Sequence, residues 1–366
     1  AADSRLFEFG MMALGLDYAS GVGPTAAKAS ATKDGTCKIL CVGVGGGGGN
    51  TVNRLVQGIE EQEAPLGFVA LNTDQQALDA SLADDTLVLG SGASRGLGAG
   101  GKPAVGQACA EEAEAEIAAA VAGADMVFIT AGMGGGTGSG AAPVVARIAK
   151  QHDCLTVGVV TKPFGFEGKR RMQQATEAIA RLEESVDILI VVANDRLLRI
   201  VPPDYPLDEA FTLADEILRQ GIIGISDIIA RPGLINVDFA DIRSIMTDAG
   251  KALLGIGSGV GRGRARDAAV AAVSSPLLDF PLEKAGAVVF TVCGGADLSL
   301  QEVNEVAAVI GEMCAPDANI IFGASVDPAM GDELSVTVVA TNFGSDELPP
   351  MPSTPSMRAP MPSTPS

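Results

Sequence analysis

The chain has no tryptophan, two tyrosines (Tyr18 and Tyr205) and a single histidine. So poor an aromatic inventory argues against a stacking platform for single-stranded nucleic acid. Basic residues are also scarce, 25 Lys and Arg against 45 Asp and Glu. At a formal charge of −20 a phosphate backbone would be repelled, so partners must be basic, metal-bridged or matched by packing. The lone His152 excludes a histidine-based metal site, and its place after a helix-like segment suits a helix end. The six cysteines (Cys37, Cys41, Cys109, Cys154, Cys293, Cys314) form no CxxC pair and read as free thiols of a reducing compartment. No apolar run approaches the ~20 residues of a membrane span. No GxxxxGK[ST] is present, which removes the P-loop proteins.

Glycine, by contrast, is abundant, with 46 among 366 residues, and it is clustered. Hydrophobic residues at 47% are ample for sizeable cores. Short apolar strands (Lys38 to Val44, Phe68 to Leu71, Thr86 to Leu89, Met126 to Thr130, Leu155 to Val160, Ile188 to Val192) alternate with helical stretches, among them Pro103 to Val121 and Glu167 to Glu184. That alternation predicts a Rossmann-like parallel sheet with helices on both faces over 37–205. Apolar residues from Leu207 to Ile229 recur at 3–4 spacing over 206–232, between Pro206 and Pro232-Gly233, and predict one long central helix. A second α/β region over 233–343 has strand-like Ala287 to Val292, Ile320 to Phe322 and Leu334 to Ala340, and is expected to form a separate small sheet domain. Residues 1–36 read as a flexible leader, the remnant of a targeting segment. Residues 344–366 contain Pro350-Met-Pro-Ser-Thr-Pro-Ser356 and its repeat at Pro360, a tail expected to be disordered.

Two glycine-rich loops fall where strands end and helices begin, where backbone N–H groups and the helix dipole can hold an anion. The first, Gly43-Val-Gly-Gly-Gly-Gly-Gly49-Asn50, contains GxGxxG, a pattern that also suits a dinucleotide fold or a tight turn. The second, Gly134-Gly-Gly-Thr-Gly-Ser-Gly140, is more specific. It is a nearly bare ribbon of amides to which the Thr137 and Ser139 hydroxyls can add donors. Two such loops on one sheet can grip the phosphates of one nucleotide from two sides.

The second loop resembles the signature of the tubulin/FtsZ family, and the resemblance to FtsZ runs from Lys38 to Phe343. It is carried by Asn72-Thr-Asp74, Gly96-Leu-Gly-Ala-Gly100, Thr161 to Arg171, Asn194-Asp195, Ala214 to Gly221 and Asn236-Val-Asp-Phe-Ala-Asp241. It implies a tubulin/FtsZ fold and a GTPase. GTP or GDP would be bound by Gly45, Gly46, Gly47, Gly48, Gly49, Asn50, Asn72, Asp74, Gly98, Ala99, Gly100, the Gly134–Gly140 loop (Gly134, Gly135, Gly136, Thr137, Gly138, Ser139, Gly140), Pro163, Glu167, Arg171, Asn194, Phe211 and Asp215. Mg²⁺ would bridge phosphate oxygens with few protein ligands.

Residue chemistry bears on several of these roles. Glu167 and Arg171 stand one helical turn apart and can face one ligand, or simply form a surface salt bridge. Phe211 and Asp215 share that spacing. One can stack on a base while the other accepts from guanine N1–H and its exocyclic amine, a donor pair adenine lacks. The alternative is an ordinary core Phe and a solvated Asp. From Phe211 to Ala230 is 230 − 211 = 19 steps, roughly 30 Å of helix. Asn236, Asp238 and Asp241 beyond it therefore cannot be aimed at their own γ-phosphate. They suit orienting a water in the site of the next subunit, as the family resemblance implies, and a contact between unlike faces propagates as a filament.

Departures from the family pattern are Lys102 in place of Asn and Leu254 in place of Met, and Asp346 to Pro350 with Arg358 only faintly matches a membrane-adaptor peptide. Gly257 to Asp267 and the leader favour cyanobacterial or plastid forms. The expectation is a division-ring protein of the chloroplast stroma, or alternatively of the bacterial cytoplasm, with itself, a paralogue and a tethering adaptor as partners. A nucleotide-binding scaffold without turnover and a dinucleotide-dependent oxidoreductase are the rival readings.

Overall fold

The computed structural model describes residues 37–58, 66–90, 92, 96–198, 201–202, 205–230, 238–275 and 282–343. The leader, Asn236 and the Pro/Ser repeat lie outside them. The N-terminal strands are β1 (Ile39–Val44), β2 (Leu66–Asn72), β3 (Asp85–Val88), β4 (Met126–Gly132), β5 (Leu155–Lys162) and β6 (Ile188–Ala193), all parallel in the order β3-β2-β1-β4-β5-β6. Both faces of such a sheet are covered, which is why its strands are apolar runs rather than alternating ones. One face packs on α1 (Gly45–Gly58), the long α8 (Leu207–Ala230) and α9 (Phe239–Met246). The other packs on α3 (Pro103–Glu112), α4 (Glu114–Val121), α5 (Thr137–Gln151) and α6 (Lys169–Glu183). The short α2 (Gln75–Asp79) follows β2, and α7 (Asn194–Leu197) follows β6.

The C-terminal half contributes β7 (Gly250–Val260), α10 (Arg264–Val273), β8 (Ala285–Gly294), α11 (Leu300–Met313), β9 (Asn319–Val326) and β10 (Glu333–Phe343). Its strands do not form a sheet of their own. The start of β7 pairs in parallel with the start of β6, Ile188 to Gly250 through Ile190 to Ala252, and the order continues β7-β10-β8-β9 as one ten-stranded sheet. This half still has its own core under α10 and α11. Helix α8 joins the two halves, burying Leu213, Ile217, Leu218, Ile222, Ile225 and Ile228 against both.

Two elements depart from the expected reading. The Pro103–Val121 helix breaks at Ala113, whose φ and ψ of −97° and 22° leave the helical region. No proline or glycine marks that break. Strand β7 carries glycine at alternate positions 255, 257 and 259, a composition that disfavours strand. Close approach explains it. A Cβ on Gly257 would lie 2.3 Å from the Ala268 carbonyl oxygen, and one on Gly259 2.3 Å from that of Arg264. Helix α10 lies directly on the strand backbone.

Candidate active site

The carboxyl ends of β1, β4, β5 and β6 open into a cleft of about 320 Å³. Parallel sheets bind ligands at this edge. Both glycine-rich loops arrive there and run into helices: α1 starts at Gly45, and the second loop turns through Gly134, Gly135 and Gly136 before α5 starts at Thr137. Five consecutive glycines weaken a helix, each by about 1 kcal/mol relative to alanine, so packing or a ligand must require them. A Cβ on Gly45 (φ +74°) would meet the Gly138 nitrogen at 2.9 Å, one on Gly47 would meet Gly132 at 3.0 Å, and one on Gly48 would meet the Thr130 oxygen at 2.3 Å. Those positions are glycine because backbones touch. Gly46 and Gly135 differ: both line the cleft, and a Cβ on either would meet no atom from elsewhere in the described fold within 4 Å. Their bare backbones face empty space of a size that suits a phosphate group, with two helix N-termini converging on it.

Gly47, Asn50, Gly136, Thr137, Gly138, Pro163, Glu167, Arg171, Asn194, Phe211 and Asp215 also line this cleft. Glu167 is not in the same helix as Arg171. It ends a short 3₁₀ turn, and Gly168 at φ +104° separates that turn from α6. The two side chains nevertheless bond at 2.5 Å, and Glu167 also accepts from the Phe164 N–H at 2.8 Å. The Asn194 side-chain oxygen is buried with no hydrogen-bond partner among the described residues, an acceptor left for something in the cleft. Phe211 is 40% exposed and stands edge-on to Phe164, ring centroids 5.3 Å apart.

Asp215 is largely buried, and desolvation pushes its carboxyl up to about 6, although Arg54 and Thr51 pull it down. Arg54 approaches it at 3.6 Å and donates to the Thr212 hydroxyl at 2.9 Å. Arg54 was not singled out in the sequence. The available signal was its position four residues after Asn50, on the same face of α1.

Other expected residues do not reach the cleft. Ser139 is fully buried and accepts from the Gly134 N–H at 2.7 Å, so its hydroxyl shapes the loop. Thr137 does line the cleft, but its hydroxyl is 2.6 Å from that of Thr73. Gly140 lets α5 pack on α3, since a Cβ there would lie 2.0 Å from the Pro103 oxygen. Gly49 has open space but is not part of the lining. Asp74 caps α2, accepting from the Gln76 N–H at 3.0 Å, and the Asn72 side chain accepts from the Asp74 N–H at 3.3 Å. Gly98 and Ala99 lie on a loop that abuts Gly136, while Gly100 lines an adjoining depression with Gly135 and Arg171.

Asp238 and Asp241 lie at the opposite edge of the sheet. They begin α9, exposed, and neither carboxylate has a partner among the described residues. Helix α9 sits where strands start: Arg243 donates to the Asp153 carbonyl, two residues before β5, and the Gly250 N–H bonds to the Asp187 carbonyl, just before β6. Six- to eight-residue strands separate the two edges by about 20–26 Å.

Paired glycine loops at the strand ends, a long helix across the face and a second smaller αβ half define a tubulin-like nucleotide-cleft architecture. The comparisons agree. Residues 38–202 match the Tubulin/FtsZ family, GTPase domain, and residues 250–344 the FtsZ family, C-terminal domain. An empty FtsZ dimer from M. jannaschii is 42% identical, with a TM-score of 0.80, over 87% of this chain and 95% of that one. A single-site variant of FtsZ from the same organism is 44% identical, with a TM-score of 0.80, over 84% and 92%. CetZ2 from Haloferax volcanii, solved as a GTPγS-bound protofilament, is 22% identical with a TM-score of 0.70 over 85% and 94%, and supports the fold alone. The chain belongs to the tubulin/FtsZ family.

Proposed function

We propose that this chain is a GTPase that polymerises head to tail and hydrolyses GTP at the contact between subunits. The observation that carries this reading is the placement of the Asp238/Asp241 pair on the strand-start edge while the cleft opens on the strand-end edge. A single chain can hold a nucleotide but cannot bring these carboxylates to it. A second copy stacked in the same orientation brings its strand-start edge onto the first copy's cleft. Such a contact joins unlike faces, so it repeats without closing. The M. jannaschii FtsZ structure is a dimer of a similar chain, which supports self-association here.

In this reading Gly46, Gly135 and the N-termini of α1 and α5 hold the phosphates. Asp215 accepts from the guanine edge, Phe211 stacks on the base, and Asn194 offers a further acceptor. Glu167 and Arg171 flank the phosphates and ribose. Asp238 and Asp241, with Asn236 beside them in sequence, orient the attacking water from the neighbouring chain and draw on its proton. Among the described residues no group of three His, Cys, Asp or Glu side chains could hold a metal by itself. A Mg²⁺ ion would therefore be held mainly through phosphate oxygens, whose charge it would neutralise.

The test is turnover against protein concentration. GTP hydrolysis per chain should rise steeply where filaments appear by sedimentation, and ATP should support neither. Turnover independent of concentration across that range would sink the shared site in favour of a self-contained GTPase. From the family resemblance, the Ala-rich leader and the Gly257 to Asp267 stretch, which resembles cyanobacterial and plastid forms, we assign the filaments to a division ring in the plastid stroma, with a paralogue and a membrane adaptor as partners. A fluorescent fusion spread through the stroma, or found in another compartment, would overturn that assignment in favour of the bacterial cytoplasm or a different role.

A further inference from the structure

Helix α9 is eight residues long, too short to hold its own position in water. Ile242, Ile245 and Met246 bury one side of it, which sets its rotation. Apolar contacts tolerate sliding along the helix axis, so its position along that axis must be set by directional bonds. Those bonds cluster at its C-terminal end. Lys150, one residue before the end of α5, reaches two carboxylates at once: Asp187 at 3.0 Å and Asp248 at 2.7 Å. Asp248 follows α9 by two residues, and its N–H points to the same Asp187 carboxylate at 3.4 Å. Asp187 is in turn fixed by the Thr156 N–H at 2.9 Å and hydroxyl at 2.8 Å. Burial alone would raise the Asp187 carboxyl, but the Thr156 and Lys150 bonds outweigh it and hold it below the ordinary carboxylate range. Asp248 also adopts φ +52°, a conformation glycine takes more cheaply, so its carboxylate must be of use. Arg243 adds a second tie, donating to the Asp153 carbonyl at 2.8 Å, and Asp153 is likewise left-handed at φ +61°. Nothing in the cleft chemistry uses these residues, which lie at the far edge of the sheet.

We propose that Lys150, bridging Asp187 and Asp248, is a positioning device that sets where α9 presents Asp238 and Asp241 to the neighbouring subunit's nucleotide. The proposal rests on the shared-site reading above. The helix is short and stiff, so a shift at its C-terminal anchor moves both carboxylates with it. A misplacement of about 1 Å in a reacting constellation can cost about 100-fold in rate.

The test uses full-length Lys150→Gln, Lys150→Arg and Asp248→Asn chains, the last as the milder change because asparagine tolerates the left-handed backbone. Each is assayed for GTPγS affinity by calorimetry, for polymer by sedimentation, and for GTP turnover per sedimented chain. Affinity should stay within about twofold of the parent, since the cleft lies at the other edge of the sheet, while turnover per sedimented Lys150→Gln chain should fall about tenfold or more. Lys150→Arg should recover most of the loss, and Asp248→Asn should lose about threefold while remaining folded. Mixing should locate the lesion. Lys150→Gln should regain activity with Asp215→Ala chains, which bring an intact α9, and not with Asp241→Ala chains, which do not. Unchanged turnover per sedimented chain, or a loss that only tracks lost polymer, would overturn the positioning role while the shared site stands. Concentration-independent turnover in the parent would overturn both.

Discussion

Asp215 is a site residue whose burial should cost the empty protein stability, and that cost can be measured. Its carboxyl titrates at about 6 in the fold against an ordinary value of 3.8. That rise corresponds to about 3 kcal/mol, at about 1.4 kcal/mol for each tenfold change in proton affinity. The direction follows from proton uptake. The folded state binds the Asp215 proton more tightly than the unfolded state, so the parent loses stability as pH rises from about 4 to about 6 and stays penalised above that. Asp215→Asn removes the charge at nearly constant shape, and Arg54 keeps its bond to Thr212. The nucleotide-free variant should therefore be more stable than the parent by about 2 kcal/mol at pH 8. That advantage should shrink by about 1 kcal/mol at pH 5, where much of the parent's Asp215 is already protonated in the fold. Urea unfolding at the two pH values reads it directly. Nucleotide binding should move the other way. Asparagine presents one acceptor and one donor where guanine offers two donors, so GTP affinity should drop by about 1–3 kcal/mol. The parent's GTP affinity should itself weaken about tenfold from pH 8 to pH 5, and the variant's should not. A variant no more stable than the parent at pH 8, or one binding GTP normally, would refute the argument that a ligand justifies this buried charge.

Three further outcomes are expected. Gly46→Val adds a side chain where no atom from elsewhere in the described fold lies within 4 Å, so the melting temperature should hold while nucleotide affinity in a fluorescent-GTP titration falls more than about tenfold; normal binding would remove Gly46 from the phosphate cradle. Gly257→Ala forces a Cβ to 2.3 Å from the α10 backbone, which should cost about 3 kcal/mol or more in urea unfolding, and a loss below about 1 kcal/mol would show that α10 can lift away from β7. Asp241→Ala should bind GTP and sediment like the parent while turnover per sedimented chain drops about 100-fold or more; retained turnover would mean that the water is oriented by other groups.

Local chemistry made much of this protein readable from its residues alone. Apolar runs marked the parallel strands because a sheet buried on both faces needs side chains of one kind. The 3–4 spacing from Leu207 to Ile229 specified α8, and with it the four-residue interval that sets Phe211 and Asp215 on one cleft wall. Two glycine clusters after strands announced an anion cradle, and the length of α8 separated that cradle from Asp238 and Asp241. Tertiary structure decided which glycine faces what. Gly46 and Gly48 are indistinguishable in a run of five, but one opens on the cleft and the other touches the backbone of β4. Ser139 and Asp74 carry groups able to meet a ligand, and their neighbours in the fold occupy them instead. Strand β7 was hidden because its glycines answer to α10, a helix that follows it in the chain, and not to its own strand propensity. Its three-residue pairing with β6, which makes one sheet of two, depends on where α9 ends. Arg54 beside Asp215, and Lys150 between Asp187 and Asp248, unite residues from helices and strands far apart in sequence. Periodicity reports what a segment does with its own neighbours in the chain, whereas close backbone approach and ion pairing depend on what the rest of the chain brings to it.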